Sequence, residues 1–152
     1  MRVKLSDIVE EMDIPTEEGN SFLNLETGEF VYVSNGALRR AEDGEEYGHL
    51  PDWQQEEMEI AEDLVEAEDK YVPVPDQFDF NEYDIMEDFC YRQPEHTRGK
   101  LLSVIKGRGA FRRFKDTIID FDIRNEWFEF RDQAYREIAK EFCEKHNIEY
   151  ID

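Results

Sequence analysis

A chain of 152 residues has the length of one domain and can bury roughly two thirds of the surface its unfolded form exposes. With 39 acidic against 18 basic side chains, its net charge of −21 repels bulk nucleic acid and anionic membrane surfaces, which disfavours extended nucleic-acid binding and a membrane partner. Such charge would suit a disordered chain, yet two Trp, seven Tyr and eleven Phe recur at helical spacing, so a folded domain with a highly charged surface is expected.

In chain order, Ser6 reads as the N-cap of a short helix over 7–12, with acids in its first turn and Pro15 beyond its end. Residues 21–34 read as a hairpin. Phe22, Leu23 and Leu25 lead into a Thr27-Gly28 turn, Phe30 to Val33 return, and Asn35-Gly36 closes the unit. A lone hairpin is marginal in water, so it must lie on helices or gain a third strand. Residues 37–51 read as a turn or short helix followed by a loop. A helix over 52–69 follows, with Trp53, Ile60, Ala61, Leu64 and Val65 as its apolar stripe. Its remaining faces are crowded with carboxylates, and pairs such as Glu59–Asp63 and Glu62–Glu66 each cost about 0.2–0.5 kcal/mol.

Tyr71 to Pro75 is limited by two prolines to an edge strand or linker segment. It places a subdomain seam near 71–78 inside a single domain of residues 1–152. Beyond it, 81–93 reads as a helix with Tyr83, Met86, Phe89 and Cys90 on one face, and Thr97 reads as the cap of a helix through Lys106. Gly107 suits the end of that helix, and Gly109 opens the next, about 110–121. The strongest period belongs to 124–146, where Trp127, Phe130, Ala134, Tyr135, Ile138 and Phe142 stay in register. Residues 148–151 suit a short strand that could add to the hairpin. The expected fold class is α+β: a small antiparallel sheet nucleated by the hairpin and packed against about five helices.

The charge is unevenly placed. Residues 1–91 hold 27 acidic and 5 basic side chains, whereas 92–124 hold 4 acidic and 9 basic. The centre of the basic segment is Gly107-Arg108-Gly109-Ala110-Phe111-Arg112-Arg113-Phe114-Lys115-Asp116. On a helical wheel Phe111, Phe114, Ile118 and Phe121 share the core side, while Arg112 and Arg113 find partners in Asp116 and Asp120 on the opposite side. What remains for function is the glycine-flanked helix entry. Free backbone N–H groups there favour an anion, with Lys106, Arg108, Gly109 and Arg112 as the candidate binding residues. No Walker-type lysine follows and no strand precedes, so this is neither a P-loop nor a dinucleotide fingerprint. Arg131 joins the candidates because it falls in the apolar stripe of the last helix. A buried guanidinium there needs a carboxylate from the N-terminal half, an aromatic face, or an anionic ligand.

His49, His96 and His146 are isolated from one another and from cysteine, so no metal or cofactor is expected. Cys90 and Cys143 lie on apolar helix sides and read as buried, reduced thiols, consistent with a cytoplasmic protein. Three readings of function stay open. The first is a non-catalytic binding or regulatory module whose basic surface over 106–115 meets a small anionic ligand or an acidic protein patch. The second is an enzyme acting on a phosphorylated substrate held by arginines. In the third, the basic segment is neutralised by the chain's own acidic helix 52–69.

Three blocks carry a resemblance: Phe22-Leu23-Asn24-Leu25-Glu26-Thr27-Gly28-Glu29, the basic segment Gly107 to Asp116, and Trp127-Phe128-Glu129-Phe130-Arg131-Asp132-Gln133-Ala134-Tyr135-Arg136-Glu137-Ile138-Ala139. Through them the chain resembles the bacterial uncharacterised protein family numbered 0158 in the UPF series. The resemblance implies a small bacterial cytosolic protein and transfers no activity, cofactor or catalytic residue.

Overall fold

The spacing of apolar side chains resolves into seven helices and five short strands in a computed structural model that describes residues 1–152. The class is α+β. Residue contacts group the chain into two compact units, Met1–Asp76 with Ala139–Asp152, and Gln77–Ile138. No helix is long and apolar enough to cross a membrane.

In the first unit, β1 (Val3–Lys4) leads directly into α1 (Leu5–Met12), with Lys4 rather than Ser6 at the N-cap. The apolar residues Leu5, Ile8, Val9 and Met12 dictate this frame, because all four are buried. β2 (Gly19–Asn24) and β3 (Phe30–Ser34) form the antiparallel hairpin, pairing Phe22 with Val31 and Gly19 with Ser34. The Asn24 side chain accepts bonds from the amides of Glu26 and Thr27, and Gly28 takes the positive φ of 77° that turns the chain back. Asn35-Gly36 does not end the hairpin in a loop. It opens α2 (Asn35–Glu42), where Ser34 Oγ accepts from the Ala37 amide and donates to Glu57 Oε1 at 2.6 Å.

α3 (Asp52–Glu66) is shorter than its acidic run suggests, and a 3-10 turn over Glu68–Lys70 separates it from β4 (Tyr71–Pro73). Its buried line is Met58, Ala61 and Leu64, whereas Trp53 is 66% exposed and Val65 40% exposed. α2 and α3 pack together and against β3, closing a core of Val33, Ala37, Met58, Ala61, Leu64 and Tyr71. The third strand of the sheet is β4, antiparallel to β2, in the order β3-β2-β4. The C-terminal β5 (Tyr150–Ile151) does not join it and instead pairs in parallel with β1, Val3 opposite Tyr150. Strand choice here is a long-range matter: Pro73 interrupts one candidate and only two residues form the other, so local pattern favoured neither.

In the second unit, α4 (Glu82–Tyr91), α5 (Glu95–Val104), α6 (Ala110–Asp120) and the first part of α7 (Arg124–Lys145) surround one core. Thr97 lies inside α5 rather than at its cap, and its hydroxyl donates to the Pro94 carbonyl. Phe89, Phe114 and Trp127 meet edge to face, with ring centroids 4.9–6.0 Å apart. Phe114 and Ile118 are buried as the wheel requires, but Phe111 is 36% and Phe121 37% exposed, so only half of that phenylalanine face is core. Cys90 and Cys143 are buried free thiols, and burial first of all pushes each up to about 11, so both stay protonated.

Two expected outcomes test this packing. A Cβ on Gly19 would sit 2.5 Å from the Val33 carbonyl oxygen and 2.9 Å from Ser34 Cα, both backbone, whereas one on Gly36 meets nothing within 4 Å. Urea unfolding should therefore show Gly19→Ala losing about 1–3 kcal/mol and Gly36→Ala, in the first turn of α2, gaining about 0.4–1 kcal/mol. Equal effects would contradict the register. The second test concerns Asp63, which accepts from Lys70 Nζ at 2.8 Å and Tyr71 Oη at 2.5 Å and so ties α3 to β4. The Lys70 bond first, and then the Tyr71 bond, hold the Asp63 carboxyl below its usual range. Asp63 raises Lys70, while burial and then the Asp63 bond raise Tyr71. A lowered acid stabilises above its unfolded pKa and fails as pH falls through the folded one; the raised Lys and Tyr stabilise below theirs and fail as pH rises. Asp63→Asn should flatten both limbs of the stability–pH curve, and an unchanged curve would contradict the link.

Candidate functional site: the α5–α6 junction

A helix ends with carbonyls that have no partner within it, and a chain that reverses in five residues must satisfy them some other way. Here the answer is Arg113. Its Nε donates to the Val104 carbonyl at 2.8 Å, Nη2 to Lys106 at 2.6 Å and Nη1 to Arg108 at 2.5 Å. Tyr83 of α4 adds a fourth bond, from its hydroxyl to the Ile105 carbonyl at 2.8 Å. Four of the five carbonyls from Val104 to Arg108 are thus held by two side chains. A cation at this end of α5 also faces the negative pole of the helix.

The glycines make the geometry accessible. Gly107 and Gly109 both adopt φ of 76°, which lets the chain turn twice between the helices. Gly109 has a second reason to lack a side chain, since its Cβ would lie 3.0 Å from Arg113 Nη1. The guanidinium lies across the glycine. Gly109 is the N-cap of α6, which starts without a side-chain cap, and the first amide of the helix to bond inside it is that of Arg113 to the Gly109 carbonyl.

Of the residues singled out from the sequence, Lys106, Arg108, Gly109 and Arg112 therefore cluster at this junction, with Lys115 one turn further on. Lys106, Arg108, Arg112 and Lys115 are exposed and enter no ion pair. The expected pairing of Arg112 and Arg113 with Asp116 is absent: Arg113 turns back to the loop, and Arg112 stays in solvent. Nothing in the sequence distinguishes these adjacent arginines. The usable signal was spacing, because an arginine four residues after a left-handed glycine at a helix entry can reach the preceding helix end.

Arg131 lies elsewhere in the same unit with different partners. Its Nε donates to Glu82 Oε1 at 3.0 Å and its Nη2 to Tyr135 Oη at 3.0 Å, while the guanidinium carbon sits 4.1 Å from the centroid of the Tyr135 ring. The side chain is 23% exposed. One carboxylate that meets it, Glu82, comes from the first turn of α4. Glu82 and its neighbour Tyr83 thus hold Arg131 and the end of α5 respectively, a role that no motif marks.

A family model matches residues 1–152, the whole chain, and its description is an uncharacterised protein family, UPF0158. The chain belongs to UPF0158. No curated protein and no solved structure matches it. The UPF0158 match spans both units, so the α5–α6 junction and the hairpin fall within one family sequence.

The junction predicts how its arginines differ. Arg113→Lys replaces a planar fork by one point charge that cannot serve three carbonyls. It should lower stability by about 1–2 kcal/mol, with water competing at this exposed position, and speed amide exchange over 105–110. Arg112→Lys should do neither. Equal exchange rates in the two variants would contradict the assignment.

Proposed function

We propose that this UPF0158 protein is a non-catalytic binding module of the cytosol, whose basic edge of Lys106, Arg108, Arg112 and Lys115 receives an anionic group from a small ligand or an acidic protein patch. The observation that carries this reading is the division of labour among the arginines. Arg113 is the only one of these arginines turned back onto the chain, where it holds three carbonyls while Tyr83 holds a fourth. The other cations are thereby left exposed and unpaired in a chain with 39 carboxylates.

Physical chemistry supports an anion there. Two residues without side chains allow the backbone to approach closely. The first turn of α6 begins with uncapped N–H groups and the positive end of the helix dipole. Arg108 and Arg112 can each offer two parallel N–H donors to a phosphate or carboxylate, with Lys106 and Lys115 adding charge. Gly109 contributes shape rather than a donor side chain. Arg131, held by Glu82 and Tyr135, stands outside the edge in this reading.

Titration of the 15N-labelled protein with inorganic pyrophosphate, and separately with a short oligonucleotide, tests the proposal. Amides over 106–116 should shift at low salt and return as salt is raised. Arg108→Gln combined with Arg112→Gln should weaken binding about tenfold or more without altering the rest of the spectrum. No shift in 106–116 at low salt would sink the proposal. Equal binding by the double variant would do the same.

A further inference from the structure

A second feature lies in the other unit and is independent of the basic edge. Because α2 and α3 pack over β3, the same face of the sheet is left partly open where it continues into β2 and β4. There Phe22, Leu38, Leu64, Val65, Tyr71 and Pro73 line a cleft of about 460 Å³. That is within the range of sites that hold ligands, roughly 300–1,000 Å³. Val65, 40% exposed, sits on this wall although it is an apolar residue in a helix otherwise rich in carboxylates. An apolar surface of this kind left in water is unfavourable in proportion to its area, and a covering partner removes that cost.

The rim determines what could cover it. Glu42 and Glu68 line the cleft itself. A more open hollow of about 570 Å³ adjoins it at Glu68 and is bordered by Glu26, Glu66 and Asp69. Lys70 is the one cation among these linings, and it is already engaged by Asp63 at 2.8 Å and Glu26 at 3.8 Å. Glu42, Glu66, Glu68 and Asp69 have no such partner. The surrounding unit carries 26 acidic and 7 basic side chains, so its field extends the same sign beyond the rim. An anionic or purely apolar occupant would leave these carboxylates facing it without compensation.

We propose that this cleft is a docking site for a cationic amphipathic segment of a partner protein, apolar side chains entering between α2, α3 and β4 and Lys or Arg side chains meeting Glu42, Glu66, Glu68 and Asp69. The binding mode is that of an amphipathic peptide in an apolar groove with complementary charge around it. The apolar floor supplies affinity, and the carboxylates select the sign of the partner and speed its encounter.

The test uses the full chain and a labelled helical peptide with Leu at i, i+3, i+4 and i+7 and Lys at the remaining positions. Fluorescence anisotropy should report saturable binding, and amide shifts should map to Leu38, Leu64–Glu68 and Tyr71. A peptide with the leucines replaced by Ala and one with the lysines replaced by Glu should each bind at least about tenfold more weakly. Val65→Ser, at an exposed position that leaves the core intact, and Glu42→Gln with Glu68→Gln should each weaken the Leu/Lys peptide while leaving pyrophosphate shifts at 106–116 unchanged. Binding that is equal for the Leu and Ala peptides, or shifts confined to the outer face of α3, would overturn the proposal. So would cleft shifts that appear on raising the protein concentration without peptide, which would assign the cleft to a second copy of the chain.

Discussion

The triple hydrogen bond from one guanidinium to the carbonyls of Val104, Lys106 and Arg108 is the constraint on which the basic segment depends. α5 and α6 must approach closely for Leu101, Ile105, Phe114 and Ile118 to share a core, so their connection has only five residues to reverse direction. Two left-handed glycines permit the reversal, and the arginine fork absorbs the carbonyls that the reversal exposes. A lysine could not span three acceptors, and a larger residue at 109 would obstruct the guanidinium. Packing thus sets the loop, the loop selects its arginine, and that selection leaves the neighbouring cations in solvent. A patch that looks in sequence like one basic run has two separate roles in the fold.

Charge is divided between the two units as sharply as structure is. Met1–Asp76 with Ala139–Asp152 carries 26 acidic and 7 basic side chains, while Gln77–Ile138 carries 13 and 11. Within the near-neutral unit, four unpaired cations are enough to dominate a local field, because screening confines each charge to roughly 10 Å at 0.1 M salt. Within the acidic unit, one lysine is used structurally, at the junction of α3 and β4, and an unpaired carboxylate rim borders the apolar cleft. The carboxylates that raise the repulsion along α3 are therefore also those that give the cleft its sign.

How far this was legible from sequence follows from the range of each interaction. The hairpin, α4 and α7 rest on local periodicity and turn residues, and Phe22, Gly28, Met86 and Trp127 lie where those signals require. The stripe of α3 was shifted because Trp53 and Val65 are as hydrophobic as the residues that are buried; only Met58 distinguishes the true line. Ser6 and Thr97 are good caps by type, but burial of Leu5 and the position of Pro94 start their helices earlier. Partners distant in sequence were beyond local pattern: β5 with β1, Glu82 with Arg131, and Tyr83 with the end of α5. At the site, clustering of Lys106, Arg108 and Arg112 was readable from neighbourhood alone. The role of Arg113 required the carbonyl positions of another helix.

The most direct test of the account is side-chain 15N spectroscopy of the arginine Nε–H groups. Arg113 Nε donates to the Val104 carbonyl, so its resonance should exchange slowly and stay in place when pyrophosphate is added, while those of Arg108 and Arg112 should move. If Arg113 Nε exchanges as fast as its neighbours, or is the resonance that pyrophosphate displaces, the separation between the arginine that builds the loop and those left for a ligand does not hold.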